Sequence, residues 1–86
     1  MTRNDVETRV NEALALVLRL PAPPQGPLAR AEVPDWDSLS HVEIVYAVEE
    51  SLGVTFTEQE LASLDSSTAF VEAAERHLAA LSLIHI

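Results

Sequence analysis

Between Asn4 and Leu20 the apolar residues Val6, Val10, Ala13, Leu14 and Val17 return every three or four positions, the period of one face of an α-helix. Asn4 or Asp5 is placed to cap its start. The period then breaks in "PAPPQGPLARAEVPD", which holds all five prolines and one of the two glycines. Proline fixes φ and has no amide hydrogen, so an ordered, non-helical connection is expected. At about fifteen residues it is long for a compact domain, which suggests a long crossover or a functional loop.

Helical periodicity resumes from about Ser38 to Leu52, and Gly53 is well placed as the left-handed residue that ends this second helix. After "VTF", Thr57 and Glu60 have the spacing of a capping box, heading a short helix through about Leu64. Ser66 or Ser67 can cap a last helix in which Phe70, Ala74, Leu78 and Leu81 share a face. No segment alternates like a strand for long, and no internal repeat is visible. The expected fold is all-α: one domain over residues 1–86, a small four-helix bundle of three longer helices and one short, with a long Pro-rich loop between helices 1 and 2.

The second helix carries apolar residues on two sides. At ~100° per residue, Ile44, Val45, Val48 and Leu52 fall together, with His41 among them, and form the core face. Leu39, Glu43, Tyr46 and Glu50 fall on the opposite side, with Val42 at the margin. Single exposed apolar residues are ordinary. Here they share a stripe with carboxylates, the pattern of a surface that docks partners. Burying Tyr46 or Leu39 against a partner would contribute about 1.5–3 kcal/mol each.

Charge narrows the partners. The formal net charge is −9, lysine is absent, and Ala31 to Glu75 holds eleven acidic residues and no basic one. Such a surface repels phosphate backbones and anionic membranes, so neither nucleic acid nor membrane is an expected partner, whereas proteins with basic patches are attracted. Acidity also serves simple solubility. No apolar run approaches the ~20 residues that span a bilayer, and the N-terminus lacks a signal-peptide pattern, so a cytoplasmic protein is expected. The terminal "LSLIHI" is too short to anchor in a membrane; continuing the last helix, packing its end and lacking structure all stay open for it.

The absence of cysteine removes disulfides, a thiol nucleophile and thiolate metal sites. His41, His77 and His85 show no paired spacing for a metal, and His41 and His77 are read as packed at core edges. Asp37, Ser38 and His41 lie close in sequence, yet His41 points toward the core face and no glycine-flanked turn presents the serine, so catalysis is not expected. For Ser38 two readings stay open. Either Asp37 or Ser38 serves as N-cap of the second helix, or the Ser38 hydroxyl carries a phosphate ester, which the helix N-terminus would stabilise by about 0.3–1 kcal/mol.

The segment "DSLSHVEIVYAVEESLGV" followed by "TEQELASLDSSTAFVEAAERHL" resembles the acyl carrier protein family. The family's marks stand as Asp37-Ser38-Leu39 at the head of the second helix, Val42-Glu43-Ile44-Val45 within it, and Glu49-Glu50-Ser51-Leu52-Gly53 at its end. The likeness covers residues 34–80; the first helix and the proline loop agree in position and character only.

The resemblance implies that Ser38 receives a 4′-phosphopantetheine arm from coenzyme A through a magnesium-dependent phosphopantetheinyl transferase. The thiol of the arm would then hold acyl groups as thioesters. It also implies that Asp37, Leu39, Val42, Glu43, Tyr46 and Glu50 meet the transferase and the acyl-loading and acyl-using enzymes, with the carrier itself a monomer. Trp36 stands where the family more often has a small residue, and the loop before the motif is shorter and richer in proline than in fatty-acid carriers. The Trp-Asp-Ser-Leu form looks more like discrete carriers of specialised metabolism, in polyketide or fatty acid biosynthesis. Peptidyl carriers usually show Gly-Gly before His-Ser or Asp-Ser, which this chain lacks. An aminoacyl or peptidyl carrier, and a non-catalytic helical adaptor with Ser38 only a helix N-cap, are the alternatives.

Overall fold

The computed structural model describes residues 2–84. The N-terminal helix α1 spans Arg3–Leu18 and starts earlier than its apolar pattern suggests. Neither Asn4 nor Asp5 is its cap. Thr2 is, because its Oγ1 accepts the Asp5 amide at 3.2 Å while the Asp5 carboxylate accepts the Thr2 amide at 3.1 Å. The helix stops two residues short of Leu20: Arg19 turns left-handed, and the Leu20 amide folds back to the Ala15 carbonyl at 2.9 Å. The end of the buried face therefore moves from Val17, which is half-buried, to Leu18, which is buried.

The proline-bearing segment that follows contains one 3₁₀ turn, Arg30–Glu32, and is stitched to the far end of the chain. The Leu28 amide donates to Ser67 Oγ at 2.9 Å and the Ser67 amide to the Leu28 carbonyl at 2.8 Å. One residue on, the Arg30 amide donates to the Asp65 carbonyl at 2.9 Å. Ala29 and Ser66 form an isolated antiparallel bridge between these bonds. Backbone groups that proline-rich chain cannot satisfy within itself are thus satisfied by the entry to the last helix.

Helix α2 spans Ser38–Leu52 and ends at Gly53, whose φ of 68° is the left-handed geometry glycine adopts without strain. Helix α3, Glu58–Leu61, has the capping box of Thr57 and Glu60 that its sequence predicts. It ends before Leu64 because the Glu60 carbonyl is taken by both the amide and the hydroxyl of Ser63, a local competition that closes the turn. Helix α4 spans Ser67–Ile84, with Ser66 as its cap: Ser66 Oγ accepts the Ala69 amide at 3.0 Å. The helix therefore runs into the "LSLIHI" segment, of which His85 and Ile86 lie outside the described residues. Leu81, at 38% exposure, is not part of the buried core.

α1 packs against both α2 and α4. Ile44, Val48 and Leu52 of α2, with Val45 at the edge, meet Val6, Val10, Ala13 and Leu14 of α1 and Phe70, Val71, Ala73 and Ala74 of α4 in one cluster. The radius of gyration, 12.4 Å, is close to the roughly 12 Å of a compact chain this long. Among the described residues there are four α-helices and no strand, and no helix is long and apolar enough to cross a membrane.

Candidate functional site

The N-terminus of α2 is built around two neighbours with different tasks. Asp37 is extended, with φ −92° and ψ −172°, and its Oδ1 accepts the Ser40 amide at 2.9 Å. Those amide bonds, chiefly the one from Ser40, hold its carboxyl below the usual aspartate range. Of the two candidate caps Asp37 is therefore the one used, and the reading of Ser38 as the N-cap is corrected. Ser38 occupies the first helical position, is exposed, and its hydroxyl enters none of the hydrogen bonds among the described residues.

The approach to this helix end is held by Trp36, the residue whose structural part its sequence does not reveal. Trp36 is 2% exposed and belongs to the core. Its Nε1–H donates to His41 Nδ1 at 3.0 Å, and His41 Nε2 lies 3.2 Å from the Leu61 carbonyl. A carbonyl only accepts, so Nε2 carries the proton and Nδ1 is bare. His41 thus joins the segment before α2 to α2 itself and to the end of α3. Its ring also stands 6.0 Å from that of Phe70, which Trp36 approaches at 6.3 Å and Phe56 meets edge-on at 5.9 Å. Arg30 completes the frame by donating from Nε to the Trp36 carbonyl at 3.1 Å. Because both nitrogens of His41 are engaged, neither is directed at Ser38.

The outward stripe of α2 is in place. Leu39, Val42 and Tyr46 are 71, 64 and 63% exposed, and Glu43 and Glu50 are exposed beside them. Val42, marginal by angle alone, belongs with the exposed set. On the inward side Glu49 turns back, its Oε2 accepting the Phe56 amide at 2.8 Å, so it braces the chain after Gly53 and is not part of the stripe. His77 sits at the core edge, with Nε2 2.8 Å from Glu60 Oε1 and its ring edge-on to Phe56. Thr57 and His77 hold the Glu60 carboxyl below its ordinary value.

Among the described residues no group of three His, Asp or Glu side chains is arranged to hold a metal ion. The helix end offers instead an exposed primary hydroxyl on a capped first turn, at the positive end of the helix dipole, beside an apolar and acidic face. No protein-family model, curated protein or solved structure matches the chain.

Proposed function

We propose that this chain is a carrier protein of the acyl-carrier type, a four-helix bundle with a long proline-rich first loop. It holds acyl intermediates as thioesters on a 4′-phosphopantetheine arm attached to Ser38 and presents them to biosynthetic enzymes. The observation that carries this is the division of labour at the head of α2: Asp37 does the capping, which leaves the exposed Ser38 hydroxyl without a structural task. Beneath it, Trp36 against His41 and Arg30 on the Trp36 carbonyl tie down the segment that leads into this helix end.

The residues fit the group. An arm bound through one phosphodiester needs an accessible oxygen and no enclosing pocket, and the dipole of a fifteen-residue helix favours the added anion. In the transfer, Ser38 Oγ forms a bond to the β-phosphorus of coenzyme A. The phosphoanhydride breaks, adenosine 3′,5′-bisphosphate leaves, and the serine proton passes to the transferase. The arm supplies a thiol, which a chain without cysteine lacks. Leu39, Val42, Glu43, Tyr46 and Glu50, with Asp37 beside the attachment point, form the surface that meets the transferase and client enzymes. Those enzymes carry basic patches opposite the carboxylates.

Intact mass after incubation with coenzyme A, magnesium and a broad-specificity phosphopantetheinyl transferase tests this. Wild type and Ser40→Ala should each gain one phosphopantetheine, and Ser38→Ala none. No gain by folded wild type, with a control carrier modified in the same mixture, would favour a helical adaptor that docks partners through the same stripe.

A further inference from the structure

The exposed apolar surface does not end on α2. Leu16, on α1, is 76% exposed, more than any α2 member of the stripe. α1 and α2 run antiparallel: Arg9 in the first half of α1 donates to the carbonyl of Ser51 near the end of α2, and the end of α1 lies beside the first half of α2. There an open groove is lined by Leu16, Val17, Arg19, Val42, Glu43 and Tyr46. A second, polar groove continues from it past Arg19 to Asp37 and Ser40, the residues on either side of Ser38.

Arg19 is the unusual member. It is the single non-glycine residue with positive φ among those described, at φ 56° and ψ 45°. Glycine would end α1 without steric cost where arginine does not. Its guanidinium also takes part in none of the ion pairs among the described residues. A left-handed arginine where glycine would cost less, with an exposed side chain that makes no ion pair among the described residues, leaves that side chain available to another molecule. Asp35, Asp37 and Glu43 line the same groove without pairing with Arg19, so this surface carries one positive side chain among three negative ones.

We infer that the Leu16–Arg19 end of α1 is part of the seat for the transferase that modifies Ser38, with Leu16 in its apolar contact and Arg19 receiving a carboxylate of that enzyme. This rests on the carrier function proposed above. An enzyme that reaches over Asp37 and Ser40 to Ser38 from the α1 side covers Arg19. The partner chemistry follows from complementarity: an apolar centre, basic residues opposite Asp35, Asp37 and Glu43, and one acidic residue opposite Arg19. A partner with only basic residues would meet like charge at Arg19 and bind less well, so this position selects among basic enzymes.

Steady-state modification kinetics with coenzyme A and a broad-specificity transferase as the probe, varying the carrier, test this. Arg19→Gly should raise the melting temperature by relieving strain and yet raise KM for the carrier roughly threefold to fivefold, the scale of one exposed ion pair. Leu16→Asn, which removes the apolar contact without adding charge, should raise KM about tenfold, and kcat should hold in both. A merely structural role for Arg19 does not give higher stability with weaker docking. If wild type is modified but both variants keep its KM within about twofold, on the same scale, the inference is overturned and the carrier reading stands. If wild type itself is not modified while a control carrier is, both fall.

Discussion

Asp37 and Ser38 present similar small polar side chains to the same helix end, and the backbone separates their uses. Asp37 is extended and its carboxylate reaches forward to the Ser40 amide; Ser38 is already helical, and its exposed hydroxyl enters no hydrogen bond among the described residues. Asp37→Ala should therefore lower the melting temperature followed by circular dichroism, whereas Ser38→Ala should leave it unchanged. Equal losses would contradict the division of labour. Trp36 teaches a different lesson. On sequence grounds it is a departure from a family pattern, with no visible partner. In the fold its indole is buried and its Nε1–H ends on His41, five residues later. Sequence periodicity placed His41 toward the core but had no means of pairing it with a residue outside the helix.

At the scale of elements, what could be read from the sequence was what neighbours in sequence decide. Gly53 ends α2, and Thr57 with Glu60 opens α3, because each needs only residues within one turn. The core face of α2 was legible for the same reason, since a constant helical angle separates Ile44, Val48 and Leu52 from Leu39 and Tyr46. The start of α1 was misplaced because its apolar pattern begins at Val6, whereas its cap, Thr2, precedes any apolar signal. Leu81 keeps the helical period but is not among the buried residues, and period alone does not show where a neighbouring layer stops. The tie between the proline-bearing segment and α4 was illegible, since Leu28 and Ser67 are thirty-nine positions apart. Ser67, 5% exposed, accepts the Leu28 amide. Ser67→Ala leaves that amide without its acceptor and should cost about 1–3 kcal/mol in urea denaturation. Amide exchange should speed up at Leu28 before it does at Val48; unchanged protection at Leu28 would show that the tie does not hold the loop.

For the whole molecule, charge governs both stability and encounter. Asp5, Asp37 and Glu60 are each held below their ordinary values, chiefly by backbone amides at helix starts: Thr2 for Asp5, Ser40 for Asp37, and Thr57 for Glu60, which His77 also touches. A carboxyl depressed in the folded state binds fewer protons there than in the unfolded chain, so its contribution is complete above the unfolded value and is lost as pH falls through the folded one. The unfolded references are 3.8 for aspartate and 4.5 for glutamate. The melting temperature should therefore fall as pH drops below about 4.5, and the fall should be shallower in Glu60→Gln, which no longer titrates. A melting temperature that stays constant as pH falls from neutrality through 4.5 and on below 3.8 would contradict this account of the helix starts. The net charge of −9 would, on the proposed carrier function, attract basic enzymes in a way that salt screens over roughly 8–10 Å. Beneath that surface the central claim is covalent and local, and the sequence makes it convenient to test. With no lysine or arginine between Ala31 and Glu75, trypsin releases residues 31–76 as one peptide that carries both Ser38 and Ser40. The most direct measurement is fragmentation of that peptide from protein recovered from its native host. The account predicts phosphopantetheine, free or acylated, on Ser38 and an unmodified Ser40; a peptide that is unmodified throughout, or modified only at another residue, would contradict it.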